Sequence, residues 1–246
     1  MSDKNQISIK KYDNYIVVSL NGNVIRPEQI YHDLLSIVDE ININKKIWAV
    51  GFDLRNINQI SDMESAEHLL NYSMTSLILD IKKPVIGLVN GEVSNRLLEF
   101  ILPMDYRIAG TDSFFKMSQM FQEKMQFDGA TQLLPRIIGL NKSKEMMMFG
   151  GTYDSSQAYN LGLINLIVDK IKLESSLFTK LDLLVKQSPL AIQFTKSAIN
   201  FNSNTNTVRG MDMENDLYSI LLSSNDRKKS IDAIKSKNKP NPFSSE

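Results

Sequence analysis

The chain has 246 residues, 28 basic and 28 acidic residues, and no cysteine. Its length lies within the range of single α/β domains, and a hydrophobic content of 42% is typical of a folded protein. The lack of cysteine excludes disulfides, thiolate nucleophiles and cysteine-ligated metals. A net charge of zero argues against a general nucleic-acid-binding protein.

The histidine content and the hydropathy of the chain argue against a metal site, secretion and a membrane span. The two histidines, His32 and His68, lie in helix-like segments without matching spacing, so neither a zinc site nor a Ser-His-Asp triad is expected. Residues 1–11 are polar and charged, unlike a signal peptide, and no apolar run is long enough to span a membrane. We therefore expect a cytoplasmic protein without a metal site or a membrane-spanning helix.

Strand and helix patterns alternate along the first part of the chain. In chain order they predict a strand at 15–20 closed by a turn at Asn21-Gly22, a helix at 30–41, a strand at 47–52, a helix at 63–79, a strand at 84–89, a helix at 97–102 and a strand at 105–109. From Ser143 onward the pattern is mostly helical. Such alternation is typical of βαβ units and predicts an α/β fold with a helical end.

Several motifs resemble those of the enoyl-CoA hydratase/isomerase (crotonase) family. They keep the family's order and spacing, and they are KPVIGLVNG at 83–91, DYRIA at 105–109, GATQLLPRIIG at 129–139, LGLIN at 161–165, SPLA at 188–191 and a basic tail that ends at Phe243. Each motif is weak alone, but six in the same order are specific. The resemblance covers most of the chain, and the sequence is identified as a divergent member of this family.

This resemblance implies a crotonase-like (ClpP/crotonase) spiral of ββα units over residues 1–185. It implies a helical C-terminal region at 186–246, within the same domain, that mediates assembly into a trimer or hexamer. Substrates of the family are coenzyme A thioesters, so an acyl-CoA or a phosphopantetheine-linked thioester is the expected partner. No separate cofactor is expected, because coenzyme A is part of the substrate.

In the family, two backbone N–H groups form an oxyanion hole for the thioester enolate, and the resemblance places them at Ser61 and Arg96. Asp62, the next residue of the first loop, is a predicted substrate contact. Arg96 stands where the family has the middle glycine of a GGG turn. Two interpretations remain open: an oxyanion hole rebuilt around Arg96, or a filled and inactive pocket.

Three residues are the candidates for proton transfer. Glu99 matches the first of the two catalytic glutamates of the hydratases, whereas Gln119 replaces the second, and an amide cannot act as a base at neutral pH. Asp128 precedes the GAT tripeptide, where some relatives place a catalytic aspartate. The alternatives are a buried structural carboxylate for Glu99 and a cap of a loop or of the next helix for Asp128.

The basic tail also has two interpretations. Lys237 and Lys239 would contact a coenzyme A phosphate if the tail lies near the carrier, as it does in the family. A solvated helix face is the alternative.

For the whole chain, the predicted function is that of an enzyme of fatty acid metabolism that stabilises a thioester enolate, either an isomerase or a lyase. The competing hypothesis is a non-catalytic thioester-binding or assembly protein with a degenerate site.

Overall fold

The computed structural model describes residues 6–61, 71–202, 205–236 and 243. Its strands are β1 (Ile7–Lys11), β2 (Tyr15–Ile25), β3 (Ala49–Ile60), β4 (Val85–Val89), β5 (Glu92–Ser94), β6 (Tyr106–Gly110), β7 (Phe114–Lys116), β8 (Thr152–Asp154) and β9 (Leu166–Val168). Six of them form one sheet in the order β1-β2-β3-β4-β6-β9, and β5, β7 and β8 form a second sheet. Only the β1–β2 pair of the larger sheet is antiparallel; the other pairs are parallel.

The helices cover both faces of the larger sheet and form the C-terminal part of the chain. They are α1 (Pro27–Ile43), α2 (Met74–Leu79), α3 (Asn95–Ile101), α4 (Ala130–Ile138), α5 (Leu140–Lys144), α6 (Ser155–Asn160), α7 (Leu173–Leu184), α8 (Pro189–Asn202), α9 (Thr207–Ser223) and α10 (Asn225–Ser236). Short 3-10 helices lie at Gln119–Gln122 and Lys170–Lys172, and a π-helical turn lies at Glu145–Phe149. Within the described parts of the chain, none of the helices is both long and apolar enough to cross a membrane.

Strand β4 shows why the larger sheet needs helices on both faces. Its side chains alternate between two cores: Val85 and Val89 pack in the main core, whereas Ile86 and Leu88 pack in the core formed by α7. A strand buried on both faces is an unbroken apolar run, which is the pattern that the sequence shows here. Helix α7 packs closely against its face of the larger sheet. A Cβ atom added at Gly51 of β3 would lie only 3.2 Å from the Leu177 side chain of α7.

The predicted elements are largely confirmed, with one error near the N-terminus. The turn predicted at Asn21-Gly22 is wrong, because β2 continues to Ile25 and its pairing with β3 shifts register between Ser19 and Asn21. A bulge of this kind accommodates turn-forming residues without ending a strand. The helix predicted at 63–79 falls partly on residues that the structure does not describe, and its described part is not one continuous helix. Residues 72–73 are not helical, and α2 begins after the capping residue Ser73. The helix predicted at 97–102 begins two residues earlier, at Asn95.

Candidate active site

Helix α3 presents two charged side chains to the interior. Arg96 and Glu99 are three positions apart, so they lie on the same side of the helix, and they are only 1% and 0% exposed. The remaining residues of α3 after Asn95 are apolar and also buried. Buried charges of this kind require partners, and their partners define the site.

Both carboxylate oxygens of Glu99 accept hydrogen bonds. The Gln119 amide donates through Nε2 to Oε1 at 3.1 Å, and the backbone N–H of Asp128 donates to Oε2 at 2.6 Å. Three residues that the sequence singled out are thus brought together from positions 20 and 29 residues apart. The two donors hold the Glu99 carboxyl group in one place.

The Gln119 side chain is fixed at both ends of its amide. Its Nε2 faces Glu99, and its Oε1 accepts a hydrogen bond from Gln126 Nε2 at 3.4 Å. This orientation follows from chemistry, because the carboxylate needs a donor and only the NH₂ end of the amide supplies one. Gln119 therefore places a fixed amide beside Glu99, and an amide cannot release a proton at neutral pH.

Asp128 anchors the start of helix α2. Its Oδ1 accepts a hydrogen bond from the Ser73 hydroxyl at 2.6 Å, and its Oδ2 accepts from the backbone N–H groups of Met74 and Thr75 at 3.2 and 3.3 Å. Oδ2 also lies 3.5 Å from Nη2 of Arg96. The carboxylate thus caps a helix that precedes it in the chain, whereas the alternative predicted from the sequence was a cap of a loop or of the next helix. A role of Asp128 in proton transfer stays a prediction.

Burial raises the pKa of Asp128 above its ordinary value of 3.8, against the opposing effects of the Ser73 hydrogen bond and the Arg96 charge. Stability that depends on protonated Asp128 is then present below that value and is lost as the pH rises through the raised folded pKa. Asp128→Asn cannot ionise, so it should escape this loss. We expect the difference in free energy of unfolding to shift in favour of the variant as the pH rises above the ordinary pKa of 3.8. Denaturant titrations at increasing pH measure it; a pH-independent difference would contradict the prediction.

The Arg96 guanidinium lies among protein groups. Its Nη1 donates to the Ser61 carbonyl at 2.8 Å, its Nη2 faces Asp128, and its Cζ stands 4.8 Å from the centre of the Phe127 ring. The side chain therefore links the end of β3 to the Asp128 segment. We refer to Arg96, Glu99, Gln119, Gln126 and Asp128 as the Glu99 network.

The two predicted oxyanion donors are placed differently. The Ser61 N–H donates to the Ile25 carbonyl at 2.8 Å, which extends the β2–β3 pairing by one residue. In this conformation that N–H is occupied. The Arg96 N–H belongs to the first turn of α3, where helical N–H groups have no partner within the helix. Three predicted substrate contacts, Asp62, Lys237 and Lys239, lie outside the described residues.

Comparisons with known proteins agree on one family. A sequence model of the enoyl-CoA hydratase/isomerase family matches residues 41–245. An enoyl-CoA isomerase/hydratase of Mycosarcoma maydis is 30% identical over 205 residues, which cover 81% of this chain and 74% of that protein. The chain belongs to the enoyl-CoA hydratase/isomerase family. A crotonyl-CoA hydratase of Syntrophomonas wolfei is 27% identical over 197 residues, which cover 80% of this chain and 76% of that protein.

Solved structures confirm the predicted crotonase-like fold. The crystal structure of an enoyl-CoA hydratase from Bacillus anthracis superposes with a TM-score of 0.91 and covers 98% of this chain and 100% of that one. The sequence identity is 22%, so this likeness concerns the fold. The family assignment made from six short motifs is therefore confirmed, as is the divergence of this member.

Three residues of the candidate site were not predicted from the sequence. Gln126 and Ser73 join the network through contacts described above, and Asn95 holds the segment that precedes Gln119. Asn95 carried a detectable signal, because it stands where the family has a glycine and asparagine tolerates a left-handed backbone better than most other residues. Ser73 carried little, because it lies inside the segment predicted as one helix at 63–79. Gln126 carried none.

Proposed function

We propose that this protein is an acyl-CoA thioester-binding enzyme that stabilises a thioester enolate for double-bond isomerisation or hydration. Family membership supports the substrate class. The observation that carries the proposal is the fully buried Glu99 carboxyl group, fixed by Gln119 and Asp128. A degenerate site would have no reason to keep a desolvated carboxylate on a helix whose other buried side chains, Arg96 apart, are apolar.

Isomerisation fits this set of residues better than hydration. Moving a double bond requires one group to take a proton from one carbon and return it to another, which a single carboxylate can do. The hydratases of the family use two carboxylates to position water and exchange protons, and Gln119 has replaced the second. Its amide can orient a water molecule or a carboxylate but supplies no proton.

Enolate stabilisation is assigned to backbone N–H groups. We place the Arg96 N–H first, since it starts a helix and the positive end of the helix dipole favours a nearby oxyanion. The Ser61 N–H is the second donor, and it must turn away from the Ile25 carbonyl to act. A preorganised donor of this kind stabilises the transition state by about 3 kcal/mol.

Lys237 and Lys239 remain the proposed contacts to a phosphate group of the coenzyme A or phosphopantetheine carrier.

The test is a comparison of two reactions on the same protein. A 3-enoyl coenzyme A should be converted into its 2-enoyl isomer, followed by chromatography of the thioesters. Crotonyl-CoA should be hydrated slowly or not at all, because a second proton-carrying group is missing. Turnover of crotonyl-CoA at the rate of an ordinary hydratase, without isomerisation, would contradict our assignment of Gln119.

Gln119→Glu should increase hydration of crotonyl-CoA. The new carboxyl group would lie about 3.1 Å from that of Glu99, and the repulsion between two like charges would favour a proton shared by the pair. Such a proton is what the hydration step lacks, and general acid–base groups contribute about 10²–10⁴-fold. The kcat for crotonyl-CoA measures the gain. Gln122→Glu, three residues away on the same short helix and exposed, is the matched control and should change nothing.

We propose that the protein assembles into a trimer or a dimer of trimers, and the C-terminal helices support this proposal. Helix α9 has no buried side chain in the single chain, although it carries several large apolar ones. Those exposed on α9 are Val208, Met211, Tyr218, Ile220 and Leu222. An apolar surface of this kind is typical of an interface.

Met211→Glu should weaken the assembly, because a charge would be buried at the interface without a partner. Sedimentation should show the wild type as three or six 28.0 kDa chains and the variant shifted toward one. Ile171→Glu is the control: Ile171 is 88% exposed but lies outside the C-terminal helices. A monomeric wild type at micromolar concentration, or equal effects of both substitutions, would contradict the proposal.

A further inference from the structure

Asn95 opens helix α3 in an unusual backbone conformation. Its φ is +51°, in the left-handed region that asparagine tolerates better than most residues other than glycine. The position is the first of the three at which the family resemblance expects glycines. A glycine there would satisfy the backbone but would carry no side chain. In this chain asparagine adopts that conformation and adds a side chain.

That side chain holds the segment that leads to Gln119. Asn95 Oδ1 accepts a hydrogen bond from the Ser118 backbone N–H at 2.8 Å and a second from the Ser118 hydroxyl at 3.3 Å. Ser118 directly precedes Gln119, whose amide reaches Glu99 on the next turn of α3. The contacts therefore close a loop that begins and ends on the same helix. The distance between the Gln119 amide and the Glu99 carboxyl group depends on this closure.

We infer that Asn95 is a positioning residue that sets the Gln119–Glu99 contact and, through it, the rate of the reaction. This inference rests on the proposed function. Gln119 is neutral, so its hydrogen bond to Glu99 lacks the attraction of an opposite charge and depends on geometry. Its other side-chain contact, with Gln126, is longer at 3.4 Å. The double hydrogen bond from Ser118 to Asn95 is thus the firmer of the two restraints.

The test uses two variants with opposite expected results. Asn95→Gly keeps the left-handed backbone and removes the acceptor, so kcat for a 3-enoyl coenzyme A should fall on the order of 10–10²-fold, as small misplacements of reacting groups do. The KM should stay nearly constant, because thioester contacts are untouched. Asn95→Asp keeps an acceptor for Ser118 and should retain most of the wild-type kcat. A glycine variant with wild-type kcat would overturn the inference.

A second glycine variant distinguishes the loss of the Asn95 side chain from the effect of placing glycine at a residue with positive φ. Glu123 also has a positive φ, of +57°, and its side chain is exposed. Glu123→Gly makes the same backbone change without removing a contact to Ser118, so it should leave kcat unchanged. If both glycine variants lower kcat equally, the acceptor is not responsible and the inference fails.

A double variant tests whether Asn95 acts on the rate through Gln119. In a Gln119→Ala background, Asn95→Gly should have almost no further effect on kcat, since the group that it positions is gone. Fully additive effects would overturn the inference. A crystal structure of Asn95→Gly adds a readout that does not need turnover: the Gln119–Glu99 separation should exceed the present 3.1 Å. An unchanged separation refutes the positioning role, whereas an inactive wild type refutes the proposed function alone.

Discussion

Glu99→Gln is expected to lower kcat for a 3-enoyl coenzyme A by about 10²–10⁴-fold, the usual contribution of a general acid–base group. The structure offers Glu99 as the one carboxyl group of α3, fixed where it meets Gln119 and Asp128. Glutamine has nearly the same shape but cannot take up a proton. Thioester affinity, measured by calorimetry, should change much less than kcat, because the backbone donors stay in place.

Two controls accompany this experiment. The amide of glutamine cannot accept hydrogen bonds at both ends, so either the Gln119 amide or the Asp128 N–H loses its acceptor, which costs about 1–3 kcal/mol of stability. Thermal unfolding must therefore show that the variant is folded at the assay temperature. Glu40→Gln removes an exposed carboxylate paired with Lys11 and should leave kcat unchanged. Undiminished turnover by Glu99→Gln would eliminate Glu99 as the proton carrier.

Arg96→Met is expected to destabilise the fold by about 3 kcal/mol, the lower end of the cost of removing one partner of a buried ion pair. Methionine fills similar space but leaves the Asp128 carboxylate without the cation beside it and the Ser61 carbonyl without its donor. Asp128 keeps three other hydrogen bonds, which is why a higher cost is not expected. Equilibrium denaturation in urea at neutral pH measures the change.

The double variant Arg96→Met/Asp128→Asn tests the physical cause. If the loss comes from an uncompensated buried charge, neutralising Asp128 should recover part of it, and the double variant should be more stable than Arg96→Met alone. Strictly additive losses would show that the two charges do not stabilise each other. The Arg96 side chain would then act through its contact with Ser61 and its packing on Phe127.

Local patterns in the sequence were sufficient for the family and for most of the elements. Helical spacing predicted α1, because its buried residues repeat with the period of a helix, and unbroken apolar runs predicted β4 and the start of β3, which are buried on both faces. Motif order predicted the crotonase fold and identified Glu99, Gln119 and Asp128, since a site made by fixed loops keeps its spacing along the chain. The Asn21-Gly22 turn was wrong for a local reason: those residues suit a bulge as well as a turn.

The partners of each side chain were decided only by the tertiary structure. Nothing local indicates that Asp128 caps α2, more than 50 residues upstream, or that Arg96 donates to the Ser61 carbonyl. The local sequence also does not indicate that the Ser61 N–H is occupied by pairing with β2. A hydrogen bond depends on direction and on distances of a few tenths of an ångström, and these follow from how helix α3 packs between strands and loops. The sequence thus determined the family and the fold and offered Glu99, Gln119 and Asp128 as candidates, whereas packing determined which groups meet, because burial leaves each polar group only the partners within its reach.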